Sequence, residues 1–169
     1  MTDRSKTIFL LVTVVGSFVV YSVIYYAQVF REAPYNFNEF KSFSIRYGTR
    51  DNMVNYYNSA TGEYDYLNKH DSLIRTHLSL TKADLDTLHT DAGRLGFWDF
   101  PENELNADTT LPGYKKAPRY IVEFNYKRRT KKVQFDADFN GDLRLVDANK
   151  IMIKDIETVL NEVHDRKFE

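Results

Sequence analysis

The chain contains no cysteine. Disulfides, thiolate nucleophiles and cysteine-ligated zinc or iron–sulfur centres are therefore excluded, and stability has to come from ordinary burial. An excess of either charge is also lacking. Over the whole chain 23 basic side chains stand against 24 acidic ones, and beyond residue 30 the balance is 21 to 23. Such a balance gives no footprint of a nucleic-acid binder. The histidines, His70, His77, His89 and His164, include no pair at i, i+4, so a zinc-hydrolase helix is not encoded. No G-x-S-x-G occurs, which removes the nucleophile elbow. Internal repeats and low-complexity segments are absent as well.

One stretch lacks charge altogether. Residues 7–30, TIFLLVTVVGSFVVYSVIYYAQVF, are dominated by Val, Ile, Leu, Phe and Tyr. As a helix rising about 1.5 Å per residue they cover roughly 36 Å, enough to cross a hydrocarbon core of about 30 Å. The run exceeds the apolar region of a cleavable signal, about 7 to 15 residues, and Tyr26, Ala27, Gln28 and Val29 at its exit form no small-x-small cleavage site. The expectation is one retained transmembrane anchor. Arg4 and Lys6 precede it, which places residues 1–6 in the cytoplasm and the remainder outside. Tyr25 and Tyr26 suit an interfacial aromatic belt. Gly16 and Ser17 give one small face, but no second Gly at i+4 supports helix pairing, so a lone anchor is expected.

Residues 31–42, with Pro34, are expected to be a linker. From Phe43 the pattern alternates. Phe43–Tyr47, Met53–Asn58, Glu63–Leu67 and Asp71–Leu80 read as four strands, with a turn at Ser59–Gly62. Thr81 and Asp84 make a capping-box-like start, followed by Leu85, Leu88, Ala92 and Leu95 at helical spacing, and Gly96 stops the helix. An aromatic cluster, Phe97 to Pro101, follows at the helix exit, with Trp98 expected at least partly buried against it. Residues 102–117 read as a loop, 119–126 and 131–135 as a second hairpin, and 147–166 as a helix with the stripe Ile151, Ile153, Ile156, Val159, Leu160 and Val163. The fold class is α+β: an antiparallel sheet in the order ββββ-α-ββ-α, helices on one face, over residues 43–169.

The step from a strand into LSLTKADLD and then GFWDFP resembles small uncharacterised bacterial exported domains, many of them membrane-tethered. The resemblance is one of architecture over roughly residues 43–165. It implies the fold and carries no activity.

Chemistry is concentrated in three places. The connection DADFNGDLRLVD fits the calcium-loop template, with Asp136, Asp138, Asn140, Asp142 and Asp147 as oxygen ligands and Gly141 at the sharp turn. The alternative assigns Asn140 and Gly141 to an ordinary turn and Asp147 to the N-cap of the last helix. Acids of residues 97–108, Asp99 between two large rings together with Glu102 and Glu104, are the place a hydrolase would use. The hairpin tip Lys127, Arg128, Arg129, Lys131 and Lys132 is basic and suits phosphate, lipid headgroups or an acidic partner, unless it is merely solvated. Tyr56 and Tyr57, adjacent on a strand, face opposite ways, so at least one is core. The leading expectation is a single-pass membrane-anchored module outside the cytoplasm that binds a protein partner in the envelope without catalysis. An envelope hydrolase and a Ca²⁺-binding module are the alternatives.

Overall fold

The computed structural model describes residues 3–32, 35–110 and 113–168. The chain divides into two compact units, Met1–Asn36 and Phe37–Glu169. In the first, helix α1 spans Asp3–Glu32. Its segment Arg4–Tyr26 is long and apolar enough to cross a membrane, and none of that apolar stretch is buried. Residues 3–6, expected as a tail, are already helical, because nothing in Asp3-Arg4-Ser5-Lys6 breaks the helix that the apolar run propagates. Met1, Thr2, Ala33 and Pro34, parts of the expected tail and linker, lie outside the described residues.

The second unit is a seven-stranded sheet with two helices on one face. The strands are β1 Phe40–Thr49, β2 Asn52–Asn58, β3 Glu63–Leu67, β4 Leu73–His77, β5 Asn103–Glu104, β6 Pro118–Tyr126 and β7 Thr130–Asp136. Their order is β4-β3-β2-β1-β6-β7-β5. All neighbours are antiparallel except β5, which runs parallel to β7. The sheet is thus mixed, with one strand more than the alternation predicts, since a two-residue strand carries no period to read.

Local chemistry explains the turns. Gly62 takes φ +71 after Asn58, whose side chain accepts from the Ala60 amide at 2.8 Å, and a Cβ there would meet the His77 ring at 2.3 Å. Helix α2, Lys82–Arg94, starts with the expected capping box: Thr81 and Asp84 satisfy each other's backbone amides. Gly96 at φ +76 ends it. Helix α3, Leu143–Phe168, begins earlier than expected. It crosses the sheet obliquely, from Phe135 on β7 near its start to the β4 carbonyl of His77, which accepts from Lys167 at 2.6 Å near its end.

The core lies between this face and the helices. Phe43, Ile45, Tyr57, Val122, Phe124 and Val133 meet Leu88 and Ala92 of α2 and Met152, Ile156 and Leu160 of α3, all buried. Tyr57 is fully core, while Tyr56 faces the other way beneath the Arg46 guanidinium at 4.9 Å, as alternation requires. Phe97 is the ring that closes the end of the core; Trp98 beside it is half-buried, edge-on to Phe124 at 5.4 Å. The α3 stripe differs by one residue from expectation: Met152 is fully buried and Ile151 is 44% exposed, because the helical period runs the buried face through Asn149, Met152, Ile153 and Ile156, at i, i+3, i+4 and i+7.

Candidate functional site

The 136–147 connection is organised around an arginine that no local pattern points to. Asp136, at the end of β7, has a fully buried side chain and accepts from Arg119 Nε at 2.7 Å, from Arg50 at 2.9 Å and from the Asn106 amide at 2.9 Å. Burial works to raise its carboxyl group, and the hydrogen bonds from Arg119, Arg50 and Asn106 overcome that and hold it below the usual carboxylate range. Asp138 pairs with the same Arg50 and accepts from Asn106 Nδ2 at 3.0 Å. The Asn140 amide donates to Asn106 Oδ1 at 3.1 Å. Arg50 itself is 3% exposed, lies 4.0 Å above the Tyr114 ring and donates to its carbonyl at 2.8 Å. The result is a clasp that ties the β1–β2 turn, the 105–117 loop and the end of β7 together.

The five residues of the calcium template are therefore not gathered as ligands. Asp136 and Asp138 are turned onto arginine, and Asp142 accepts from the Arg144 amide at 2.9 Å as the N-cap of α3. Asp147 lies within the helix on its exposed side, so it is neither the twelfth ligand of a loop nor the N-cap. Gly141 does not adopt positive φ; its missing Cβ leaves room for the Phe139 ring, which a side chain would meet at 2.2 Å. Among the described residues, no group of three or more His, Asp or Glu is placed to hold a metal ion.

The acids of residues 97–108 surround a buried ammonium. Lys131 is 8% exposed and donates to the Phe100 carbonyl. Burial pushes its pKa down, opposed by the charges of Glu102, Asp99 and Glu104. Glu104, 1% exposed on β5, accepts from Asn149 Nδ2 at 2.5 Å. Burial pushes its carboxyl group up, against the hydrogen bond from Asn149 and the charge of Lys131. Lys131 is thus no part of a solvated basic tip, and Glu104 offers no oxygen to water.

Concavity occurs elsewhere, along the edge of α3. A cleft of about 270 Å³ opens between this helix and the ends of β6 and β7. Its floor is the stacked pair Tyr120 and Phe135, ring centres 5.3 Å apart. Val146, Asn149 and Ile153 form the helix wall, and Lys150, Lys154 and Glu157 stand on the rim. A smaller hollow of about 150 Å³ continues it, sharing Tyr120 and Glu157. Asn149, 4% exposed, has an Oδ1 with no hydrogen-bond partner, and so does the Oε1 of Glu104 behind it. Desolvation alone raises the Glu157 carboxyl group, with no hydrogen bond or cation opposing it. The Tyr120 phenol is raised by burial and then by Glu157.

Two carboxyl groups border the cleft with pKa values driven apart, Asp136 down and Glu157 up, which is the electrostatic pattern of an acid–base pair. Asp136 has both oxygens engaged by arginine and backbone and a fully buried side chain, so it cannot take a proton from a substrate. What remains is a ring-floored cleft with charges of both signs on its rim, which suits holding a molecule.

Sequence reasoning passed over Asn149, Lys150, Lys154 and Glu157. A signal was present: Asn149 stands at i−3 and i−4 from Met152 and Ile153, a polar residue in an apolar stripe. No protein-family model matches the chain, and no curated protein matches it at a significant level.

Proposed function

We propose that the chain is a single-pass membrane-anchored protein whose α+β domain lies outside the cytoplasm and binds a partner or ligand in the cleft along α3, without catalysis of its own. The observation that supports the binding half is the open cleft of about 270 Å³, floored by the Tyr120–Phe135 ring pair and rimmed by Lys150, Lys154 and Glu157. The anchor half is supported by α1, whose apolar stretch is 23 residues long and buries nothing. Arg4 and Lys6 on its N-terminal side favour a cytoplasmic N-terminus.

Photocrosslinking in living cells tests the binding half. A benzophenone amino acid at Lys154, on the rim, is expected to give an adduct visible as a mass increase of the purified protein. The same probe at Lys132, on the helix-free face of the sheet, is the control. Equal yields at the two positions would remove the cleft from consideration. Protease added to cells with a permeabilised outer layer is expected to digest the domain, and protection would reverse the topology.

A further inference from the structure

The end of the domain where the chain enters it carries two features that the cleft does not use. One is an aromatic cluster. Phe37 lies 5.4 Å from the rings of both Phe40 and His89, His89 lies 5.3 Å from Trp98, and Phe40 and Trp98 flank Tyr126 at 5.7 and 5.9 Å. Tyr126 is buried, whereas Phe37, Phe40, His89 and Trp98 are each partly open to solvent. The other is the tip of the β6–β7 hairpin, where Lys127, Arg128 and Arg129 stand exposed directly after Tyr126. The tip is pinned to the first residues of the domain: the Lys127 amide donates to the Glu39 carbonyl at 2.9 Å, and Arg128 Nε pairs with the Glu39 carboxylate at 2.8 Å. Lys41 beside Phe40 and Lys82 beside Phe37 add exposed cations. Of the acids at this end, Glu39 is spent on Arg128, Asp99 faces the buried Lys131, and Asp86 borders Lys82.

Half-open rings ringed by lysine and arginine are the composition of a membrane–water interface, where aromatic side chains sit at headgroup depth and basic ones meet anionic lipid. Connectivity puts the patch within reach. Phe37 follows Tyr26, the last residue of the apolar span, by about 11 residues, which extend no farther than about 40 Å. A tether of that length holds the patch at high effective concentration against the bilayer.

We propose that this end of the domain is a membrane-docking surface. Phe37, Phe40 and Trp98 seat in the headgroup layer, and Lys127, Arg128 and Arg129 contact the anionic lipids of the bilayer that holds the anchor. The inference rests on the membrane reading of α1 and is indifferent to which side the domain occupies.

Trp98 is the only tryptophan in the chain and belongs to the patch, so it reports docking directly. The full chain is reconstituted into phosphatidylcholine vesicles with or without phosphatidylglycerol, part of the phosphatidylcholine being brominated high on its acyl chains. Bromine is expected to quench Trp98 in the anionic vesicles, and about 1 M salt, which screens charges beyond about 3 Å, is expected to relieve it. The double variant Lys127→Gln, Arg129→Gln is expected to lower the ratio of docked to undocked protein roughly 25-fold, about fivefold per residue, with an unchanged melting temperature. Quenching that is equal in neutral vesicles would overturn the anionic-lipid contacts of Lys127, Arg128 and Arg129, and quenching absent from protein that floats with anionic vesicles would overturn docking and assign the patch to another occupant. Relief by inorganic phosphate beyond that given by chloride at equal ionic strength would mark a free-anion site and overturn it too. Failure to float with any vesicle would refute the anchor, and docking with it.

Discussion

Asp136 and Glu104 are both removed from water, yet their carboxyl groups are driven in opposite directions, and the difference sets how the domain responds to pH. For Asp136 the arginine and amide hydrogen bonds overcome burial, so folding favours the ionised form. Its contribution to stability is complete above the unfolded value near about 3.9 and is lost as pH falls through the lower folded value. For Glu104 burial prevails over Asn149 and Lys131, so folding favours the protonated form. Its contribution is present below the unfolded value near about 4.3 and is lost as pH rises through the higher folded one. Glu104→Gln is therefore expected to flatten the decline in stability above about pH 4.3, and Asp136→Asn the decline below about pH 3.9, in urea unfolding run across pH. At neutral pH Asp136→Asn is expected to cost about 3–5 kcal/mol, because it removes the buried carboxylate that Arg50 and Arg119 share and leaves Arg50 only the half-exposed Asp138; a loss below about 1 kcal/mol would show that the clasp does not hold the loops. The rings at the core's end divide similarly. Phe97→Ala is expected to cost about 3–5 kcal/mol and the half-buried Trp98→Ala distinctly less, and the reverse order of denaturation midpoints would exchange their roles.

At the scale of elements, what could be read in the chain was what local spacing encodes. The Thr81–Asp84 box, Gly62 in its turn, Gly96 after α2 and the alternation of β1, β2, β3, β6 and β7 all depend on neighbours a few residues apart, and the structure contains each of them. What could not be read depends on distant partners. Strand β5 exists because Glu104 is drawn against β7 and Asn149, and two residues show no period. The partner of the calcium-template acids is likewise distant: Asp136 and Asp138 match the template in sequence, while Arg50, which pairs with both, lies in the β1–β2 turn. The cleft stayed hidden because its floor and its helix wall belong to separate elements. The start of α3 tests this. Asp142→Ala is expected to lower the melting temperature, since it removes the hydrogen bond to the Arg144 amide, whereas Asp147→Ala on the exposed helix face is expected to leave it unchanged. Millimolar Ca²⁺ is expected to shift neither melting curve nor calorimetric baseline, because Asp136 and Asp138 are already neutralised by arginine. A calcium-dependent rise abolished in Asp147→Ala would restore the metal loop.

For the molecule as a whole, the two units dispose of apolar surface in different ways. Among the described residues the buried hydrophobic side chains begin at Phe43 and belong to Phe37–Glu169, whereas the large hydrophobics of residues 8–26 are exposed. Removing such apolar surface from water is favourable by about 25 cal/mol per Å², which is the driving force that the proposed membrane anchor would use. The domain, in contrast, closes its own core of rings and aliphatic side chains between one sheet face and two helices. Deleting residues 1–36 is therefore expected to leave the unfolding free energy of the domain within about 0.5 kcal/mol of the full-length value measured in detergent, and to turn a detergent-requiring protein into one that stays monomeric in buffer. Urea unfolding followed through Trp98, with sedimentation of the truncated chain, measures both. A substantial loss of stability in the truncated chain would mean that the fold depends on its anchor, and the membrane helix would then be a structural element of the domain instead of a tether.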